Sequence, residues 1–240
     1  ILIWESKAIL KKYKPSIIAV TGTVGKTSTK DAIYTVLSKT EFVRKSHKSF
    51  NSEIGVPLTI LGCQNGWSDP IRWIENIFTG LELIIFKSDY PKCLILEVGA
   101  DHPGDIQSIS KWLRTDIVII TKIGDVPVHV EYFPSPEDVV KEKAYLIDSL
   151  KPDGTLVLFA DDKKVVALSQ NIKQSVMTFG ISEMATVTAS NITAIYDDNR
   201  MPEGITFKIN FKGNSIPLKI KGILGQQQAY PILAAVTVGT

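Results

Sequence analysis

The sequence has little cysteine, little net charge and no long hydrophobic run, and each shortage excludes a class of protein. Two cysteines among 240 residues, Cys63 and Cys93, form neither a disulfide framework nor a metal cluster, so we expect a reduced, cytoplasmic protein. A net charge of +2 argues against a nucleic-acid partner. The most apolar run, residues 77–86, contains Glu82 and is too short to span a membrane, which requires about 20 apolar residues.

Strand and helix patterns alternate over residues 1–180, and this order predicts an α/β fold. Runs of β-branched and apolar residues predict buried strands at 16–21, 93–98, 116–121, 155–159 and 175–179. Helical spacing predicts helices at 2–13, 28–38, 103–113, 136–150 and 162–170, with another around 73–86. Residues 151–154 read as a turn. We therefore predict a mostly parallel sheet with helices on both faces.

The pattern changes after Gly180. Short alternating segments at 186–196, 205–211 and 215–220 are separated by polar, glycine-containing turns. This spacing predicts a small antiparallel β-meander over about 185–222. A final helix is predicted from residue 226 to the end of the sequence.

A glycine-rich loop between the first strand and the next helix carries the strongest chemical signal. It consists of Thr21, Gly22, Thr23, Val24, Gly25, Lys26, Thr27 and Ser28. Glycines let backbone N–H groups approach phosphates closely, and the following helix N-terminus favours anions. Lys26 is expected to reach the phosphates of ATP, and the Thr27 hydroxyl to ligate Mg²⁺. The loop predicts a P-loop-type three-layer domain, although Val20 replaces the first glycine of the common Walker pattern.

This shorter loop resembles that of the Mur ligases, which are ATP-dependent amide-forming enzymes of peptidoglycan synthesis. Four further stretches resemble the family in the same order, at residues 49–59, 97–106, 123–133 and 137–143. The first of them, Ser-Phe-Asn-Ser-Glu-Ile-Gly-Val-Pro-Leu-Thr, is most similar to the branch that joins D-alanyl-D-alanine to a UDP-linked muramoyl tripeptide. The resemblance implies that residues 15–240 form the central ATP-binding domain. It also implies that residues 1–14 are a linker helix from a missing N-terminal domain and that the C-terminal domain is absent.

The resemblance implies three catalytic, metal-binding positions besides Lys26 and Thr27. Glu97 ends a predicted strand, where open parallel sheets bind ligands, and its carboxylate suits Mg²⁺. His129 is a metal ligand by similarity, although the loop before it is two residues longer than in the family. Lys143 corresponds to the lysine that carbon dioxide converts to an anionic carbamate, and Lys141 is expected to be its solvated neighbour. Without the resemblance, the alternative is that these residues have no metal role and are a glutamate at a strand end, a surface histidine and surface lysines.

Other positions are expected to contact the substrates. By similarity, Asn51, Ser52 and Glu53 line the cleft for the UDP-linked substrate, or alternatively form a cap before a Gly-Val-Pro turn. The pair Asp161–Asp162 lies near the nucleotide or caps the helix that follows. Gln228 is expected to contact adenine, although the histidine that the family often has nearby is absent.

The function implied is ATP-dependent amide ligation through an acyl phosphate, with D-alanyl-D-alanine as the amine. Three alternatives remain open at this point. One is another ligase of the superfamily, of the folylpolyglutamate or cyanophycin type. The second is a non-catalytic nucleotide-binding module. The third is an ordinary P-loop ATPase, in which Glu97 and Lys143 have no metal role.

Overall fold

The computed structural model describes residues 1–47, 50–124 and 132–240. The helices are α1 (Leu2–Tyr13), α2 (Lys26–Leu37), α3 (Gly55–Leu61), α4 (Pro70–Ile85), α5 (Asp105–Ser110), α6 (Pro136–Ala144), α7 (Lys163–Ala167) and α8 (Ala229–Val238). The strands are β1 (Ser16–Thr21), β2 (Val43–Lys45), β3 (Cys93–Glu97), β4 (Thr115–Ile120), β5 (Leu150–Phe159), β6 (Ser175–Gly180), β7 (Val187–Tyr196), β8 (Pro202–Phe211) and β9 (Asn214–Lys221). Within these ranges, no helix combines the length and apolarity needed to cross a membrane.

All of these strands form one sheet in the order β2-β3-β1-β4-β5-β6-β7-β8-β9. Pairing is parallel from β2 to β7 and antiparallel between β7, β8 and β9. Every residue of β3 is buried, because helices cover both faces of the parallel part. The predicted α/β class and the antiparallel meander are confirmed. The meander continues the main sheet through the short β6–β7 pairing instead of forming a separate layer.

Local sequence explains where several helices begin. Asp69 accepts hydrogen bonds from the backbone N–H groups of Ile71 and Arg72 and so caps α4, with Pro70 in its first turn. Ser135 caps α6 in the same way, again followed by a proline. The αL conformation of Lys14 ends α1 directly before β1.

The structure corrects several predicted elements. The expected Gly-Val-Pro turn is the first turn of α3, where Pro57 needs no hydrogen-bond partner for its nitrogen. Gly55 is required there because a Cβ would lie 2.5 Å from the backbone of Phe50. The predicted turn at 151–154 belongs to β5. The helix predicted to reach residue 150 ends at Ala144 and is followed by a 3-10 turn, Tyr145–Ser149. The strand β2, only three residues long, has no pattern that periodicity detects.

The first helix packs on the rest of the domain. Ile9 of α1 is fully buried in the core that also contains β1 and β3. Lys12 donates hydrogen bonds to the carbonyl oxygens of Leu83 and Ile84, at 2.8 and 3.0 Å, and thus caps the C-terminal end of α4. The buried face of α1 thus packs on this domain, and its role as a linker from another domain stays a prediction.

The docking of α1 predicts unequal effects of two alanine substitutions in the same helix. Ile9→Ala removes a fully buried side chain and should lower the free energy of unfolding by about 2–5 kcal/mol. Ile3→Ala, at a position 40% exposed, should cost less than about 1 kcal/mol. Urea denaturation of the 240-residue chain measures both values, and equal losses would contradict the docking of α1.

Candidate nucleotide and metal site

The candidate site lies at the edge of the sheet where the parallel strands end. In the pairing register, Val20 lies beside Glu97, and Thr21 lies beside Ile120. The strand order changes direction around β1, since β3 pairs on one side and β4 on the other. Ligands bind in open α/β sheets at such a switch point, beyond the carboxyl ends of the strands.

The glycine loop is held against the end of β4. Gly22 has a φ of 139°, and a Cβ at this position would lie 2.0 Å from the Thr121 hydroxyl oxygen. The Thr121 hydroxyl donates to the carbonyl oxygens of Thr21 and Val24, at 3.1 and 2.8 Å. Gly25 adopts a left-handed φ of 89° directly before α2. Glycine is therefore required at residue 22 for close packing and at residue 25 for the turn into the helix.

Lys26 folds back over this loop. Its Nζ donates to the carbonyl oxygen of Gly22 at 2.9 Å and lies 3.4 Å from that of Thr23. Burial lowers the pKa of Lys26, while Glu97 and Asp101 act in the opposite direction. A small cavity of about 80 Å³ adjoins this amine and is lined by Gly22, Thr23, Lys26, Asn51, Gly99, Ala100, Asp101 and Lys143. The cavity brings together five of the predicted site residues: Gly22, Thr23, Lys26, Asn51 and Lys143.

Glu97 contacts the first turn of α2. The Thr27 hydroxyl donates to both carboxylate oxygens, at 2.9 and 3.2 Å. Glu97 is only 3% exposed, and the ammonium of Lys30 lies 3.5 Å from its Oε2. Thr27 and Glu97 together offer hard oxygen donors of the kind that Mg²⁺ prefers. The donor chemistry of this pair therefore fits the predicted metal.

Lys143 is buried, whereas Lys141 is exposed, as the helical register predicts. Burial and the positive charge of Lys26 lower the pKa of Lys143 to about 8, although Glu142 and Asp101 act in the opposite direction. The structure brings Lys143 to the cavity beside Lys26, whereas Glu97 does not line that cavity. Lys143 thus has the burial and the surroundings that favour its uncharged form.

Glu142 was missed by the sequence analysis and holds α6 in place. Its buried carboxylate accepts hydrogen bonds from the backbone N–H groups of Gly104, Ile106 and Gln107, at 2.9, 2.7 and 3.2 Å. These groups are at the start of α5, where unpaired N–H donors favour a carboxylate. Because Glu142 precedes Lys143 directly, this anchor also fixes the position of the lysine.

Residues 51–53 surround the cavity only in part. Asn51 lines it, and its carbonyl oxygen accepts a hydrogen bond from the backbone N–H of Gly99 at 2.7 Å. The side chain of Glu53 instead accepts a hydrogen bond from Ser108 of α5. Ser52 accepts hydrogen bonds from the first turn of α3, through its hydroxyl from Gly55 and through its carbonyl from Val56. Asn51 therefore joins the site, while Ser52 and Glu53 brace its rim.

A second cavity, of about 330 Å³, lies between the loop, α2 and the start of α8. Its lining residues are Val24, Gly25, Ser28, Thr29, Lys122, Phe159, Gln227, Gln228, Tyr230 and Pro231. The rings of Phe159 and Tyr230 contact edge to face, with centroids 4.7 Å apart. This cavity contains the predicted Gln228 and adds two aromatic residues that the sequence analysis missed. The available signal was their position, since Phe159 ends β5 and Tyr230 lies at the start of α8.

The acidic pair after β5 has structural roles. Asp162 caps α7 and also accepts hydrogen bonds from the N–H groups of Ile123 and Gly124, at 3.0 and 2.9 Å. Asp161 accepts hydrogen bonds from Ile181 and Ser182, both at 2.8 Å, and adjoins the hydroxyl of Tyr230. Burial, with the nearby Asp161, raises the pKa of Tyr230 to about 12. The capping interpretation of Asp162 is confirmed, and Asp161 orients one wall of the second cavity.

One predicted metal ligand, His129, lies outside the described residues, as does most of the segment before Tyr132. Within the described residues, no group of three or more His, Cys, Asp and Glu side chains is placed to hold a metal. Among the described residues, Thr27 and Glu97 are therefore the predicted ligands whose positions support a metal site.

A glycine loop at the switch point of a mostly parallel sheet defines a class of phosphate-binding α/β domains. The family model described as "Mur ligase middle domain" matches residues 20–71 and 74–239. The chain therefore belongs to the Mur ligase middle domain family, and the resemblance seen in the sequence is confirmed.

Three longer proteins are similar to this chain. The UDP-N-acetylmuramoyl-tripeptide–D-alanyl-D-alanine ligase of Bacillus subtilis is 29% identical over 235 residues, which are 98% of this chain and 43% of that protein. A crystal structure of MurF from Acinetobacter baumannii matches with a TM-score of 0.77 and 20% identity, covering 99% of this chain and 45% of that one. MurF from Thermotoga maritima in complex with ADP matches with a TM-score of 0.76 and 22% identity, covering 99% and 48%. The chain thus spans less than half the length of these relatives.

The surroundings of Lys143 predict an amine that carbon dioxide modifies near neutral pH. A carbamate forms from the neutral amine. At pH 8, half of the Lys143 side chains are neutral when the pKa is about 8, whereas only roughly 0.3% of ordinary lysine side chains are. Incubation with ¹³C-bicarbonate should give a carbamate NMR signal whose intensity, corrected for dissolved carbon dioxide, rises with pH around 8. Lys143→Met should remove the signal and Lys141→Met should keep it. A signal whose rise has its pH midpoint near the usual lysine pKa would contradict the prediction.

Proposed function

We propose that this chain supplies the ATP-binding part of a ligase that adds D-alanyl-D-alanine to UDP-N-acetylmuramoyl-tripeptide. The observation that carries the proposal is the pairing of Thr27 with the buried Glu97 directly beside the glycine loop. A phosphate loop alone serves many functions, whereas a buried carboxylate touching its threonine provides a metal position next to the phosphates. The name of the Bacillus subtilis relative supplies the substrates of the proposal.

In the proposed complex, the triphosphate of ATP lies along the loop, and its base occupies the cavity lined by Phe159, Tyr230 and Gln228. The aromatic rings offer stacking surfaces, and the amide of Gln228 offers a donor and an acceptor to the edge of adenine. Lys26 exchanges its bonds to the carbonyl oxygens of Gly22 and Thr23 for the γ-phosphate. This exchange is favourable because phosphate oxygens carry more negative charge than carbonyl oxygens.

Magnesium fits the pair of Thr27 and Glu97, and we propose His129 and the carbamate of Lys143 as further ligands. When bound, the ion neutralises negative charge on the phosphates and on the attacking carboxylate. Lys26 and the loop amides would act on the same charge, so electrostatic positioning would supply most of the rate enhancement.

The proposed reaction has two steps. The terminal carboxylate of the tripeptide attacks the γ-phosphorus of ATP, and the bond to the β-phosphate breaks to give an acyl phosphate and ADP. The amine of D-alanyl-D-alanine then attacks the acyl carbon, loses a proton and displaces phosphate, forming the amide. We propose that Asn51, Ser52 and Glu53 form the wall of the cleft on the side of the UDP-linked substrate. The free thiols of Cys63 and Cys93 fit the cytoplasmic location expected for this chemistry.

The proposal predicts that ADP release by the complete gene product requires both substrates and Lys26. With ATP, Mg²⁺ and UDP-muramoyl-tripeptide present, D-alanyl-D-alanine should accelerate ADP release, measured by a coupled assay. Lys26→Ala should reduce this rate at least about 100-fold, because it removes a cation that stabilises the transferring phosphoryl group. Lys141→Ala, on the exposed side of α6, is the matched control and should leave the rate unchanged.

Each alternative function gives a different result in the same assay. ADP release that needs a folate or another acyl acceptor would indicate a different ligase of the superfamily. Release that needs no acceptor would indicate an ordinary ATPase. Binding of ATP without any turnover would indicate a non-catalytic module, and undiminished turnover by Lys26→Ala would refute the assignment of the loop.

A further inference from the structure

Lys30 is a buried cation that the proposed reaction does not use. It lies in the second turn of α2, is 2% exposed, and is among the largest fully buried side chains of the described residues. Lysine is rarely buried to this degree without a partner, because removing its charge from water is costly. Its surroundings therefore indicate what the charge is for.

The ammonium of Lys30 joins Glu97 to the end of β2. Its Nζ donates to the carbonyl oxygen of Ser46 at 2.9 Å and lies 3.5 Å from Oε2 of Glu97. Asp31 is the next acidic group, at 3.7 Å, with its side chain half exposed and bound by Lys45 at 2.7 Å. The fully buried carboxylate beside Lys30 is therefore that of Glu97.

Ser46 fixes both members of this pair. Its carbonyl oxygen holds the ammonium, and its hydroxyl accepts a hydrogen bond from the backbone N–H of Glu97 at 3.0 Å. Ser46 is itself fully buried and receives a hydrogen bond from the hydroxyl of Thr59 in α3. The ammonium thus has one fixed anchor and one buried carboxylate, an arrangement that restricts both side chains.

We propose that Lys30 is a positioning residue, which holds the Glu97 carboxylate aimed at Thr27 for binding of the metal–nucleotide complex. This role rests on the function proposed above. Without the cation, a carboxylate 3% exposed would lose most of the charge compensation that offsets its removal from water. Groups that orient a metal ligand change metal affinity without touching the metal.

The test separates an effect on the metal from an effect on the fold. Lys30→Met removes the charge but keeps much of the side-chain length, and Lys45→Met removes a neighbouring lysine that reaches Asp31. Lys30→Met should raise the Mg²⁺ concentration for half-maximal ATP binding by at least about tenfold, as measured by calorimetry on the 240-residue chain. The affinity of Lys30→Met for ATP in the presence of EDTA should stay within about twofold of that of the unaltered chain. Lys45→Met should change neither the Mg²⁺ requirement nor the affinity in EDTA.

A second measurement tests the ion pair without any ligand. Thermal unfolding of Lys30→Met, Glu97→Gln and the double variant forms a double-mutant cycle. The double variant should melt at a higher temperature than Lys30→Met, because both buried charges leave together. If Lys30→Met does not fold, the double variant should still fold, and Lys30→Arg should retain part of the Mg²⁺ dependence.

The outcomes distinguish this proposal from the function on which it rests. Additive melting shifts, or an equal loss of ATP affinity with and without Mg²⁺, would overturn the role of Lys30 while leaving the proposed function intact. Absence of Mg²⁺-dependent ATP binding in the unaltered chain would overturn both the metal role and the proposed function. In that case a non-additive cycle would show Lys30 to be a structural partner of Glu97 only.

Discussion

The parallel pairing of β1 between β3 and β4 is the constraint on which the site depends. It brings the end of the loop-bearing strand beside Glu97 on one side and beside Thr121 on the other. Thr121 then holds the loop through its hydroxyl, and Glu97 meets Thr27 at the first turn of α2. A shift of one residue in either register would turn these side chains to the opposite face of the sheet. The geometry of the site is therefore determined by the register of the sheet.

The sequence predicts those parts of the site that local chemistry determines. The glycine loop is specified by backbone conformation at Gly22 and Gly25, and Glu97 is specified by its place at a strand end. Lys30 and Glu142 were missed because their roles arise from contacts with residues distant in sequence, such as Ser46 and Gly104. A lysine or glutamate in a helix has the same local pattern whether it is solvated or buried.

The fold shows the same division between local and distant information. The strands of the parallel core were predictable because both faces are covered, which leaves continuous apolar runs such as β3. The start of α3 was read as a turn, since glycine and proline occur in both structures, and only the close approach of Phe50 to Gly55 shows the difference. The continuity of β7–β9 with the main sheet depends on the short parallel pairing of β6 with β7. Amino-acid composition does not predict this pairing.

The charges around the loop form a linked set. Lys26 disfavours a second positive charge on Lys143, with which it shares a cavity, and so favours the neutral amine from which a carbamate forms. Once anionic, the side chain at residue 143 would attract Lys26 instead of repelling it. Phosphate oxygens of ATP would compete for the same ammonium, which now contacts the carbonyl oxygens of Gly22 and Thr23. Lys26 is therefore the group through which modification of Lys143 and binding of the triphosphate influence each other, because each supplies negative charge to one cation.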